Sequence, residues 1–375
     1  MVAPQPSGGP VPVLPDYAGP CLSGLVPAIA GRKGPVPAPW LPAPVADADQ
    51  VVLLVLDGLG WDQLGEHRDL APTLSAMVGG PISSVVPTTT ATALTSITTG
   101  STPAAHGVVG YRLRVDDGRV MNVLRWRAGG EDARPTVPPT AFQPHPAFAG
   151  EPVPVVTRAE FTRTGFTLAH LTGARLHGWR VPSTLVVEVS RLLRAGQRFV
   201  YAYYDGVDKV AHEWGLGEHY RAELTWADNL VGELQAVLPP GAALVVTSDH
   251  GQVAVGDAVL PLPDELMAEV TLLSGEGRFR WLHVREGATG RVVEMAGAAY
   301  GHLAWVRTRE QMVADGWFGG PLRPELERRL GDVALVAHAP VAFLDPADTG
   351  ELKLVSRHGS LTGAEMWVPL LACCG

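Results

Sequence analysis

The sequence predicts an α/β protein with a mainly parallel central sheet and a smaller α+β insertion. The first observation is an unbroken aliphatic run, Gln50-Val51-Val52-Leu53-Leu54-Val55-Leu56, closed by Asp57-Gly58. A half-exposed strand alternates, so a continuous run of this length reads as a strand buried on both faces, as parallel sheets require. The second is recurrence: similar short runs lie at 82–86, 199–204 and 243–247, each followed by polar or Gly-containing loops. The third is what separates them, namely helical stretches such as 221–237. Strand alternating with helix is the pattern of a parallel sheet covered by helices.

Taken in order, the chain opens with a Pro-rich arm, residues 1–47, in which 12 of the 33 prolines precede residue 45. Proline fixes φ and removes a donor, so the arm is read as neither regular helix nor central strand. Either it is disordered or it lies extended over the surface, docked through Leu22, Leu25, Val26 and Ile29. Residues 48–251 and 355–375 are assigned to the catalytic α/β domain. Within it, 128–154 carries several Pro and Gly and reads as a long loop. From 252 to 354 shorter runs at 278–284, 303–307 and 333–337 alternate with turn signals, which marks an inserted α+β subdomain. The aromatics of this stretch, Trp281, Tyr300, Trp305 and Trp317, are read mainly as core.

Composition narrows the function. Gly 43 and Pro 33 exceed ordinary usage, yet 46% hydrophobic residues mark a folding chain. With 29 basic against 38 acidic residues, a formal charge of -9, no surface for coating a nucleic-acid polymer is expected. Cys21, Cys373 and Cys374 form no disulfide framework and no CxxC pair, so a metal site here must use His and carboxylates. No signal-peptide pattern opens the chain and no apolar run is long enough to span a bilayer, so the expected location is cytoplasmic, without membrane contact.

Reactive groups collect at the carboxyl ends of strands in open α/β sheets. Here those ends hold Asp57, then Asp208 and His212, then Asp249 and His250, and finally His358 after a short strand. The hydroxyl run Thr88-Thr89-Thr90 follows the strand at 82–86, just where a helix begins. Singly each has an ordinary explanation: an Asp ending a strand is commonly a turn or cap residue, and a lone His a satisfied structural one. Collectively, three Asp and three His make two sets of three ligands, each leaving a position for substrate. Asp208 and His212, four apart, share a face if their loop opens a helix.

These motifs come in the order of the alkaline phosphatase superfamily, and the chain resembles its nucleotide pyrophosphatase/phosphodiesterase branch over about residues 48–372. The matching pieces are Val55-Leu56-Asp57-Gly58, Pro87-Thr88-Thr89-Thr90, Thr99-Gly100-Ser101-Thr102-Pro103-Ala104-Ala105-His106-Gly107, Asp208-x3-His212, Thr247-Ser248-Asp249-His250-Gly251 and His358-Gly359. The resemblance implies an alkaline phosphatase-like three-layer sandwich. It implies that Asp208, His212 and His358 hold one divalent ion, and that Asp57, Asp249 and His250 hold another beside the nucleophile. Zinc is the ion implied, although Mn²⁺ and Fe accept the same ligands. The nucleophile falls on Thr90, with Thr89 one register step away, and His106 is structural. The implied activity is hydrolysis of a small phosphodiester or nucleotide pyrophosphate through a phospho-threonine.

One departure stands out: the Asn that helps hold a phosphoryl oxygen a few residues after the Thr is replaced by Ala91, Thr92 and Ala93. Thr92 or backbone amides are the expected substitutes. A sulfatase is excluded, because Cys21 is followed by Leu22-Ser23-Gly24-Leu25 rather than the C/S-x-P-x-R needed for formylglycine. The alternatives are a phosphomonoesterase or phosphonate hydrolase, with Arg112, Arg114 and Arg125 as candidates to meet a terminal dianion, or a non-catalytic metal-stabilised binding protein. Oligomeric state is left open.

Overall fold

The computed structural model describes residues 10–350 and 353–375. Its centre is a seven-stranded sheet, numbered here β1 (Gln50–Leu56), β2 (Val78–Ser83), β3 (Pro154–Arg158), β4 (Arg175–Trp179), β5 (Phe199–Tyr204), β6 (Ala242–Thr247) and β7 (Trp367–Cys374). The spatial order is β2-β7-β6-β1-β5-β3-β4. From β6 to β4 all pairings are parallel, and only β7 runs antiparallel, between β6 and β2. The continuous run in β1 is explained by its position: Val51, Leu53 and Val55 pack into one core, Val52, Leu54 and Leu56 into another, and all six are inaccessible to solvent.

Helices cover both faces and complete three layers. On one side lie α1 (Leu22–Ala30) and α2 (Thr90–Thr99). On the other lie α3 (Pro182–Arg194) and α5 (Glu218–Ala236), with α4 (Gly206–Trp214) between β5 and α5. Between β6 and β7 the chain builds a second sheet of four antiparallel strands, ordered Val270–Glu276, Phe279–Val284, Val333–Ala337 and Ala304–Thr308. One face joins the main core through Phe279, Trp281, Trp305 and Val336, and the other packs on the helix Thr289–Tyr300. Trp281, Tyr300, Trp305 and Trp317 are all buried. No helix among the described residues is long and apolar enough to cross a membrane.

Three expectations are corrected. The arm is not merely extended: Leu22–Ala30 is an α-helix with Pro27 inside it. Pro27 forfeits one hydrogen bond, but Leu22, Leu25, Val26 and Ile29 are buried in the main core. Tertiary burial outweighs the local penalty of about 3 kcal/mol. Residues 1–9, the start of the arm, lie outside the described residues. The second run is strand only to Ser83, and 84–89 is a loop. The segment 128–154 is broken by a short helix at Pro139–Phe142 and a tight turn at Ala147–Gly150 in which Phe148 and Ala149 are left-handed, and the two bury Phe142 and Phe148. Beyond these, β7 is an interior strand despite Pro369, which faces Pro81 of β2.

Candidate metal centre and catalytic threonine

The carboxyl ends of β1, β5 and β6 are adjacent, so the residues following them meet. Asp57 leaves β1, and its neighbour Gly58 adopts φ 76°, a left-handed conformation. A Cβ there would lie 2.9 Å from Asp208 Cα, so only glycine lets the two loops close. The backbone then ties the loops together: Asp208 N donates to the Asp57 carbonyl at 3.0 Å, and Gly58 N donates to Asp249 Oδ1 at 3.1 Å. His358 follows the two-residue strand Ser356–Arg357, which pairs with Val253–Ala254 just after His250.

Each imidazole is oriented the same way. Nδ1 of His250 donates to the Gly251 carbonyl (3.0 Å), that of His358 to the Thr88 carbonyl (2.8 Å) and that of His212 to the Ser356 carbonyl (2.7 Å). A carbonyl only accepts, so Nδ1 carries the proton and Nε2 presents a lone pair. His250 Nε2 lies 3.5 Å from Asp57 Oδ1 and 3.5 Å from Asp249 Oδ2. Both oxygens are buried and have no hydrogen-bond donor among the described residues, while the other oxygen of each carboxylate is satisfied. Potential ligand atoms of Asp57, Asp249 and His250 lie within 4.8 Å of one another, as do those of Asp208, His250 and His358. His212 adjoins the second group, with Nε2 3.2 Å from Asp208 Oδ1 and its ring centroid 5.1 Å from that of His358.

Orphaned acceptors and imidazole lone pairs facing one another, buried, are an unstable arrangement without a cation. The electrostatics express this. Burial, with Asp249 and Asp208 close by, pushes the Asp57 carboxyl well above the usual range. Burial, with His250 and His212 close by, holds His358 well below the ordinary imidazole value. The donor set of carboxylates and imidazoles therefore suits divalent cations of the zinc, manganese or iron type.

Of the three threonines, Thr90 is the one on this cluster. It is the first residue of α2, and its Oγ1 lies 3.2 Å from His250 Nε2. Thr88 is used in the scaffold: its Oγ1 donates to the Ser360 carbonyl and accepts from Gly359 N, clamping the loop that carries His358. Thr89 precedes the helix and is buried. Thr92 is fully buried and borders neither cavity that opens on Thr90. The first turn of α2 keeps free backbone amides beside Thr90. His106 lies apart, bonded to Ser96 Oγ and the Val108 amide, and burial lowers its pKa to about 3.

Thr90 sits between two cavities. One, of about 640 Å³, runs over Leu94, Phe161, Phe166, Tyr201 and Tyr203; the other, of about 230 Å³, is lined by Tyr111, His212 and His358. Leu124, Arg125 and Asp208 border both. Of the three arginines considered for anion binding, Arg112 is buried in an ion pair with Asp345, and Arg114 is exposed on the small sheet 112–132, away from these cavities. Arg125 alone of the three faces Thr90's surroundings.

Two residues around the centre were not anticipated. Tyr203 donates its hydroxyl to Asp57 Oδ2, and Gln252 Nε2 donates to Asp208 Oδ1 at 2.5 Å. Alternation along β5 puts Tyr201 and Tyr203 on one face, but reaching Asp57 depends on the register with β1, where Leu56 pairs with Tyr204.

Comparisons with known proteins show the family and the fold. The model of the family described as type I phosphodiesterase / nucleotide pyrophosphatase matches residues 51–361. None of the curated proteins matches the sequence. Among solved structures, murine ectonucleotide pyrophosphatase/phosphodiesterase 5 superposes with a TM-score of 0.63 at 16% identity, covering 86% of this chain and 87% of that one. An inactive form of that murine protein, in complex with AMP, gives 0.64 at 16% identity, with coverage of 86% and 87%. Phosphonoacetate hydrolase from Sinorhizobium meliloti 1021, in complex with phosphonoformate, gives 0.62 at 22% identity, covering 90% of each chain. At these identities the superpositions establish the shared fold.

Proposed function

The chain belongs to the type I phosphodiesterase / nucleotide pyrophosphatase family, phosphoester hydrolases of the alkaline phosphatase superfamily, and from that premise we propose a two-metal phosphodiesterase that works through Thr90. The observation that carries the diester preference is the position of Thr90 between two cavities, which leaves room for a substituent on either side of the phosphoryl group. A monoester fills only one. A terminal dianion also calls for several cations, and of Arg112, Arg114 and Arg125 only Arg125 lines these cavities.

In this reading Asp57, Asp249 and His250 hold one ion and Asp208, His212 and His358 the other. When bound, the two ions, zinc in our assignment, supply the positive charge that acidifies the Thr90 hydroxyl and offsets charge on the leaving oxygen. Thr90 Oγ1 forms a bond to phosphorus as the bond to the leaving oxygen breaks, so the phosphoryl group is held on Thr90 until water displaces it. The amides opening α2 donate to the phosphoryl oxygens, in place of the absent Asn. Tyr203 and Gln252 fix the carboxylates, and the three backbone carbonyls fix the imidazoles.

The test is a substrate panel on purified protein: bis-p-nitrophenyl phosphate, p-nitrophenyl phosphate and a dinucleotide pyrophosphate, each with and without chelator. The proposal expects chelator-sensitive turnover that favours the diester or pyrophosphate. A strong preference for the monoester contradicts it, and full activity in Thr90→Ala contradicts the nucleophile.

A further inference from the structure

Arg125 is the cation on which the cavities converge. It borders the two that open on Thr90 and also a third, of about 740 Å³, which Thr90 does not reach and which is lined by Tyr111, Arg127 and Thr271 among others. Of the other basic side chains around these cavities, Arg112, Arg119, Arg134 and Lys209 are paired with Asp345, Asp117, Asp132 and Asp205; Arg127 and Arg163 have no carboxylate partner among the described residues, but Arg127 borders only the first and third cavities and Arg163 only the first. No ion pair or side-chain hydrogen bond engages the exposed Arg125 guanidinium among the described residues.

Its backbone, in contrast, is held firmly. Arg125 N donates to Asn122 Oδ1, and Asn122 Nδ2 donates to the Tyr111 hydroxyl at 2.6 Å. The next residue, Trp126, has φ 53°, a left-handed conformation that a bulky side chain adopts only under constraint. Trp126 is buried, donates Nε1 to the Val137 carbonyl and packs edge-on against Phe142. A strained, anchored turn that sets an unpaired guanidinium where all three cavities meet is an arrangement for gripping an anion.

We propose that Arg125 is a specificity residue that grips a second anionic group on the substrate. Substrates with a charged substituent next to the scissile phosphorus, pyrophosphates above all, are then preferred over diesters with neutral substituents. This rests on the phosphodiesterase reading above. The scissile group's own charge falls to the ligand cluster and to α2. Arg125 instead stands where a substituent leaves Thr90's neighbourhood for the outer cavity.

The experiment compares kcat/KM for a dinucleotide pyrophosphate with that for the p-nitrophenyl ester of thymidine 5′-monophosphate, in wild type, Arg125→Gln, Arg125→Lys and Arg114→Gln. A charge-assisted hydrogen bond predicts that Arg125→Gln lowers the pyrophosphate-to-diester ratio by about 10- to 100-fold, mainly through KM. Arg125→Lys restores part of the ratio, and Arg114→Gln, on the exposed small sheet, keeps it within about twofold of wild type. An unchanged ratio in Arg125→Gln, or an equal fall in Arg114→Gln, overturns the assignment while leaving the phosphodiesterase reading in place. Absence of wild-type turnover on both substrates overturns that reading and the assignment with it.

Discussion

Tyr203→Phe removes one oxygen from the wall of the candidate metal centre and nothing else. The ring stays packed beside Phe161, 6.4 Å away between centroids, because phenylalanine keeps its volume. What is lost is the hydroxyl that donates to Asp57 Oδ2 and so turns Oδ1 toward His250 Nε2. Outer donors of this kind tune metal affinity by about 10- to 100-fold. That range corresponds to about 1.4–2.8 kcal/mol. Competition with a chromophoric chelator at pH 7.5 measures it directly, without reference to turnover. Tyr201→Phe is the matched control: it lies on the same strand and face, and its hydroxyl has no hydrogen-bond partner. The expected result is a weakened ion in Tyr203→Phe and an affinity within about twofold of wild type in Tyr201→Phe. Equal affinities in wild type and Tyr203→Phe would refute the orienting role given to the phenol.

Two further outcomes follow from buried groups. Arg278 and Glu365 form a fully buried two-pronged ion pair (2.7 and 2.8 Å) that ties the second sheet to the short helix Gly363–Met366 that follows His358. Glu365→Ala leaves the guanidinium uncompensated and should cost about 3–5 kcal/mol in urea unfolding, far more than any exposed pair. His106, His170 and His283 are buried, and burial lowers their pKa values to about 3, 4 and 4. The unfolded chain therefore binds more protons than the folded one between about pH 6.5 and 4, so stability falls as pH drops through that window. Each histidine contributes at most about 1.4 kcal/mol per pH unit, visible as a falling urea midpoint between pH 7 and 5.

What could be read in advance follows the physics of burial. β1, β5 and β6 were legible because strands covered on both faces need continuous apolar runs, and the chemistry-bearing residues had to follow their carboxyl ends. Asp57, Asp208, Asp249, His250 and His358 do converge there, with His212 beside Asp208. Elements whose local signals oppose their state were illegible. α1 contains Pro27 and β7 contains Pro369, and each is held by partners distant in sequence. Tyr203 and Gln252 carry no motif, since their roles depend on which hydroxyl or amide the register brings to a carboxylate. Arg125 could be named but not distinguished from Arg112, because only the fold pairs Arg112 with Asp345.

In the proposed reaction Thr90 carries the phosphoryl group. Rapid acid quench during turnover of a diester labelled at phosphorus, followed by peptide mapping, locates any covalent adduct. The expected result is stoichiometric label on the peptide containing Pro87-Thr88-Thr89-Thr90, assigned by fragmentation to Thr90 and absent in Thr90→Ala. Label on Thr89, or continued turnover with no labelled threonine, would contradict it.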